Sequence, residues 1–165
     1  MSVLQKQQLH QVTITLNGKP VTGNAEPRML LSDFLREQLA MTSLHVGCEH
    51  GVCGACTVRI DGKAARSCLT LAVQADGRRI DTVESIAEKD GTLSKLQTAF
   101  HNNHALQCGY CTPGILMSVS HFLELNPKPS ETEIRDMLSG HLCRCTGYTG
   151  MIRAILEVTG QAPQE

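Results

Sequence analysis

The sequence predicts an α+β protein: a mixed, β-grasp-like first half followed by an all-α half of four helices. Three observations carry that expectation. Two short alternating hairpin patterns, each turned at an X-Gly dipeptide, flank a single helical stretch. Beyond about residue 91 no strand-like alternation remains, and four amphipathic stretches follow on short connections. The eight cysteines divide four and four between the halves, with no internal repeat otherwise visible. The division predicted is 9–83 for the mixed domain and 84–160 for the helical one, the change of pattern falling near 84–91.

The elements follow in order. Val12, Ile14 and Leu16 alternate with Thr13 and Thr15, as on a half-buried strand. Asn17-Gly18 is a hairpin turn, and 19–22 is the returning strand. Pro20 places that strand at a sheet edge or at a strand start. Leu30, Leu31, Phe34, Leu35 and Leu39 have helical spacing, which predicts a helix over about 29–39. Residues 57–60 read as strand, Asp61-Gly62 as a second turn and 63–68 as its partner. Residues 69–74 and 80–83 read as further strand. In the second half, Thr92 or Ser94 starts a helix carrying Leu93, Leu96 and Phe100. Thr112-Pro113 opens the next, with Thr as cap and Pro in the first turn. Its stripe is Ile115, Leu116, Val119, Phe122 and Leu123, and Asn126-Pro127 ends it. Ser130 and Glu133 form a capping box ahead of Ile134, Met137 and Leu138, with a stop near Gly140. The last helix carries Met151, Ile152, Ile155 and Leu156 and ends near Gly160.

Bulk properties narrow the function. The chain has 165 residues and a formal charge of −1, so no strong field invites nucleic acid or an anionic membrane. No apolar run reaches membrane-spanning length. The first eight residues show neither a twin arginine nor an apolar signal core, so a cytoplasmic location is expected unless another subunit carries a signal. Those eight residues and the tail from Gln161 to Glu165 are the segments expected to be disordered. Trp is absent and aromatics are few, so the cores must be aliphatic.

Eight cysteines in such a chain point to metal or redox chemistry rather than to disulfides. Cys48, Cys53, Cys56 and Cys68 are spaced C-x4-C-x2-C-x11-C. That is the plant-type ferredoxin spacing for four thiolates on one 2Fe–2S cluster. A loop that wraps a compact inorganic core needs close backbone approach, which Gly47, Gly51 and Gly54 permit. Zinc favours shorter, paired spacings. The second set, Cys108, Cys111, Cys143 and Cys145, is spaced C-x2-C-x31-C-x-C. Two interhelical turns at one end of a bundle would bring these sulfurs together, with a helix N-terminus aimed at the resulting anion. Spacing alone leaves a four-cysteine zinc site open for this set.

The wording around both sets resembles the iron–sulfur subunit of the molybdenum hydroxylases, the xanthine oxidase family. It runs GCEHGVCGACTV at 47–58, ARSCL at 65–69, LQCGYCTPG at 106–114 and CRCTGYTG at 143–150. The resemblance covers about residues 10–160, departs at none of the eight ligand positions, and fits the separate small subunit of bacterial three-subunit members. It implies a plant-ferredoxin-like first domain and a four-helix second domain, each with one 2Fe–2S cluster. It also implies a large partner subunit with the molybdenum–pterin cofactor, a medium partner subunit with FAD, and a dimer of heterotrimers. In this family, electrons from hydroxylation of an N-heterocycle or aldehyde with water pass from molybdenum to FAD. The cluster on Cys108, Cys111, Cys143 and Cys145 would lie on the molybdenum side, and that on Cys48, Cys53, Cys56 and Cys68 on the FAD side. Gln107 and Cys145 match the residues that contact the pterin.

Other candidates are weaker. His50 lies in the first ligand loop, but a Rieske site needs two His and two Cys, and four Cys are present. His101 and His104, three apart on a helical stretch, read as a polar face without a third ligand. His45, His121 and His141 form no pattern. Arg144 either balances cluster charge or faces solvent. Tyr110 and Tyr148 either shield the second set or pack as core. No nucleophile–base pair or paired acid/base constellation appears, so no catalytic residue is expected and the chain acts as the electron-transfer part of an oxidoreductase complex. The alternative is a free-standing 2Fe–2S ferredoxin. That would leave the helical half without a purpose and would more commonly be strongly acidic.

Overall fold

The computed structural model describes Leu4 and residues 8–161, so most of the two end segments expected to be disordered lies outside the described residues. Strands β1 (His10–Leu16) and β2 (Lys19–Ala25) form the first hairpin, and β3 (Thr57–Ile60) and β4 (Lys63–Arg66) the second. A short β5 (Arg79–Asp81) joins them into one sheet of order β2-β1-β5-β3-β4. β1 and β5 run parallel, and the other pairings are antiparallel. Both turns have positive φ at both central residues, 48° and 80° at Asn17-Gly18 and 50° and 83° at Asp61-Gly62. That is the primed geometry that matches the twist of the strands it joins. Pro20 lies on edge strand β2, where its missing N–H costs nothing.

The expected helix at 29–39 is shorter and changes pitch. It begins as α1 (Leu31–Asp33) and widens into a π-helical turn (Phe34–Gln38). Met29 and Leu30 are held elsewhere: Ala72 donates to the Met29 carbonyl at 2.8 Å, and Leu30 bridges Leu71. The strand expected over 69–74 is absent. That segment makes only the Leu30–Leu71 bridge and then a 3-10 turn (Ala72–Ala75). Ala72 and Ala75, both fully buried, stack at the i, i+3 spacing that such a turn presents to one side. Val83 likewise belongs to a 3-10 turn (Val83–Ile86) and not to β5, and 67–69 is a 3-10 turn after β4.

Phe34 fills the space over the sheet with no exposure, its ring edge pressed on Gly23, where a Cβ would come within 3.0 Å. Phe34→Ala is expected to cost about 3–5 kcal/mol of stability, the range for deleting a buried aromatic. Urea unfolding of the metal-loaded chain would read it as a lower midpoint at unchanged slope.

Four helices follow: α2 (Lys95–Asn102), α3 (Thr112–Leu125), α4 (Glu131–Ser139) and α5 (Tyr148–Val158). Ser94 and Ser130 cap α2 and α4 through complete capping boxes with Gln97 and Glu133. Leu93 lies ahead of α2 and is 54% exposed, so it is not part of that helix's apolar face. At α3 the expected cap is displaced by one residue. Cys111 takes the cap position without a side-chain bond, and the buried Thr112 hydroxyl has no partner among the described residues. The hydrophobic residues form two clusters, one running from Val12 to Ile80 and one from Leu96 to Leu156. Helix α3 lies against β3 and β4 and carries Glu124, which pairs with Arg59 of β3 at 2.8 Å.

Candidate metal centres

The first cysteine set is built by the loop between the π-helical turn and β3, plus the 3-10 turn after β4. Cys48 and Cys53 are partly exposed, whereas Cys56 and Cys68 are buried. The loop turns its amides inward. The Cys53 N–H donates to the Cys48 sulfur at 3.4 Å. With the amides of His50 and Val52, it lowers that thiol to about 6 from an ordinary 9.0. Burial raises the Cys53 thiol against the pull of the Ala55 and Gly47 amides. Cys68 is pushed up to about 12, first by burial and then by Cys56 beside it. A ring of N–H dipoles aimed at sulfur is the cradle an anionic cluster needs. Gly51 and Gly54 have the positive φ expected of such a loop (82° and 77°). Gly47 does not; it serves close approach instead, a Cβ there falling 3.1 Å from the Cys53 sulfur.

The second set lies in two interhelical turns. Cys108 is exposed, and Cys111 is buried at the start of α3, where the helix dipole points at it. Cys143 and Cys145 come from the turn between α4 and α5. The Cys145 and Cys108 sulfurs are 3.5 Å apart. Burial pushes the Cys111 thiol up to about 12, with Cys143 the next cause. The Tyr110 amide lowers Cys108. Gln107 donates its side-chain amide to the Cys145 carbonyl at 3.0 Å, which places the two residues matched to the pterin side by side.

In both sets the sulfurs interact in pairs: Cys48 with Cys53, Cys56 with Cys68, Cys108 with Cys145 and Cys111 with Cys143. All eight are free thiols. Among the described residues, no three His, Cys, Asp or Glu side chains are grouped as one ion would need. A two-iron core takes two thiolates on each iron, which is the pairing these sulfurs show. The residues present therefore fit 2Fe–2S groups.

The remaining candidates resolve as follows. The His50 ring is exposed, and only its amide serves the loop. His101 and His104 do not share a helix face, because His104 lies past the end of α2 with φ 49°. Arg144 is exposed. Tyr110 stacks on His45 with centroids 4.5 Å apart, and its hydroxyl donates to the Val46 carbonyl at 2.7 Å. Tyr148 accepts from the Cys143 amide and donates to the His141 carbonyl, both at 2.8 Å, buckling the ligand turn.

His141 is a residue whose place the sequence did not reveal. It is 2% exposed, bonded to Ser118 at 2.8 Å, with Nδ1 lacking a partner among the described residues. Burial, then the nearby Arg66 charge, lowers it to about 4 from 6.5. Below 6.5 the unfolded chain binds a proton that the folded chain refuses, so stability is present above 6.5 and is lost as pH falls toward 4. Denaturant unfolding at pH 7 and pH 5 is expected to show that loss, and His141→Asn to remove this part of the pH dependence.

Residues 14–95 match the 2Fe-2S iron-sulfur cluster binding domain family, and residues 82–156 match the 2Fe-2S binding domain family. The chain is 53% identical to caffeine dehydrogenase subunit gamma of Pseudomonas sp. (strain CBB1), covering 91% of each. It is 52% identical to the nicotine 6-hydroxylase small subunit of Paenarthrobacter nicotinovorans, covering 92% of this chain and 90% of that one. The crystal structure of quinoline 2-oxidoreductase from Pseudomonas putida 86 superposes with a TM-score of 0.88 at 50% identity, covering 93% of this chain and 94% of the other. With both ligand sets in place and relatives of this likeness along nearly its whole length, the chain belongs to the family of iron–sulfur small subunits of the molybdenum hydroxylases.

Proposed function

We propose that the chain conducts single electrons from a molybdenum–pterin centre on a large partner subunit to FAD on a medium one. When bound, each 2Fe–2S cluster takes up and releases one electron, with a potential set by burial and by hydrogen bonds to its sulfurs. Domain 9–83 holds one on Cys48, Cys53, Cys56 and Cys68, on the FAD side. Domain 84–160 holds the other on Cys108, Cys111, Cys143 and Cys145, on the molybdenum side. Gln107 and Cys145 face the pterin. The single observation that carries this reading is the arrangement of eight free cysteines as two sets of paired sulfurs, one ringed by amides and one at a helix start.

The chain's own residues keep the deeper sulfurs from water: Cys56, Cys68 and Cys111 are buried. The exposed rim of each set is left for partners, with Val52, Leu69 and Leu142 each more than half exposed. Obligate apolar interfaces suit such a rim better than brief encounters do. Two relatives are named as subunits of caffeine and nicotine enzymes and the similar structure as a quinoline oxidoreductase, which supports an N-heterocycle, with an aldehyde the other class expected, as the substrate of the whole complex. A dimer of heterotrimers in the cytoplasm completes the proposal. Among the described residues no helix is long and apolar enough to cross a membrane.

The test is metal analysis joined to gel filtration of native extract. Four irons and four labile sulfides per chain are expected, in a species much larger than the 17.9 kDa chain. Zinc without sulfide, or elution of the chain alone, would sink the reading.

A further inference from the structure

The two cysteine sets meet at a seam of close contacts between their ligand loops. Residues 53–55, the ligand Cys53 and the two residues before the ligand Cys56, are pressed from two directions. From one comes the first turn of α3, just past Cys111. A Cβ on Gly114 would fall within 3.0 Å of the Gly54 and Ala55 carbonyl oxygens. From the other comes the α4–α5 turn, just ahead of Cys143. A Cβ on Gly54 would fall within 3.0 Å of the His141 ring and the Gly140 carbonyl. The Leu142 N–H donates to the Cys53 carbonyl at 3.0 Å, a direct backbone bond from one ligand loop to the neighbour of a ligand in the other.

The seam is held shut from its edge. Arg66 donates to the Gly140 carbonyl at 2.7 Å and also to the Thr57 hydroxyl. That hydroxyl in turn donates to the Gly54 carbonyl at 2.6 Å. Gly54 and Gly114 are both buried, and Gly114 lies within a helix, where glycine is disfavoured relative to alanine by about 1 kcal/mol. Helix formation does not explain a glycine there. Contact of backbone with backbone does, because alanine would force the two loops apart.

We propose that Gly54 and Gly114 are spacing residues: by leaving room where a Cβ would strike the His141 ring and the Gly140 carbonyl, or the backbone of residues 54 and 55, they set the separation of the two redox centres, and Arg66 clamps that separation. This rests on the two-cluster reading above. Electron exchange and magnetic interaction between two centres both fall steeply with distance, so the thickness of this seam governs both. The Gly54→Ala change would add strain at φ 77°, so Gly114 is the cleaner probe.

The experiment uses the assembled complex carrying Gly114→Ala, with Gly140→Ala as the matched control. Gly140 lies in the same seam, but the nearest atoms to a Cβ there, the Arg66 guanidinium and the Met137 carbonyl, are 3.5 Å away, an ordinary contact that leaves the Arg66 bond to the Gly140 carbonyl in place. Iron and sulfide are counted first, and both centres are then reduced with dithionite and examined by low-temperature spin resonance. The expected result is four irons in both variants, with the magnetic splitting between the two signals diminished in Gly114→Ala and unchanged in Gly140→Ala. Where Gly114→Ala does not assemble, Arg66→Gln opens the same seam without adding an atom to it, and a smaller loss of splitting is expected. Unchanged splitting at four irons in Gly114→Ala, or in Arg66→Gln where that stands in, would overturn the spacing role, as would an equal loss in Gly140→Ala. Fewer than four irons in the unsubstituted complex would instead sink the two-cluster reading itself.

Discussion

Replacing Cys111 with serine is expected to reduce substrate-dependent turnover to background while the pterin content of the complex stays near normal. Cys111 is 9% exposed, and burial pushes its thiol up to about 12. Its sulfur becomes a thiolate only when metal replaces the proton. A serine hydroxyl is a harder donor and far less acidic, so it cannot fill that role in the same dry position. It would leave Cys143 without its paired sulfur and the start of α3 facing no anion. Iron and labile sulfide are expected to fall by half, and one of two spin-resonance signals to vanish. On the proposed assignment the pterin is held by the large subunit and Cys111 does not touch it, so it is expected to persist. Turnover at the normal rate would show that the helical domain is not an obligatory part of the path.

The local features were legible in the sequence because each is chemically self-announcing. Asn17-Gly18 and Asp61-Gly62 permit positive φ at both turn positions, and both hairpins formed as expected. Ser130 with Glu133 closed a capping box at α4. The eight cysteines could be assigned to two sets because their spacing encodes which loops must curl. Legibility failed where a distant partner decided the outcome. Residues 69–74 have strand-like composition, but Leu71 found only Leu30, and the turn that buries Ala72 and Ala75 won. Thr112 was a plausible cap, yet Cys111 took the position, with its sulfur directed into the second set.

The seam was the least legible part. Arg66 reaches Gly140 across 74 positions, and neither the ARSCL wording nor a helix stop tells that the two meet. His141 reads as an isolated histidine in the chain, and its burial against Ser118 and Gly54 exists only once both domains are folded together. Glycine within the first turn of a helix was the one usable signal. Gly114 costs helix stability without a turn to make, which suggests that something lies close against it.

Replacing Cys68 with serine tests the order of the two sets and is expected to fail differently from Cys111→Ser. Cys68 comes from the turn after β4, is 3% exposed, and pairs with Cys56 on the buried side of the first set. Ser67 beside it anchors that turn to the ligand loop, its hydroxyl donating to the Cys56 carbonyl at 2.8 Å. The substitution therefore removes a ligand while the β4 framework stays in place. The helical domain has its own hydrophobic cluster and its own four sulfurs, so it is expected to keep its iron. In a single turnover with substrate, the remaining spin-resonance signal is then expected to develop while the flavin stays oxidised. In Cys111→Ser, substrate is expected to reduce neither the surviving centre nor the flavin. The outcomes differ in this sense only if the set on Cys108, Cys111, Cys143 and Cys145 stands on the molybdenum side. If substrate reduces the surviving centre in Cys111→Ser and not in Cys68→Ser, the direction assigned here is reversed, whatever the total loss of turnover.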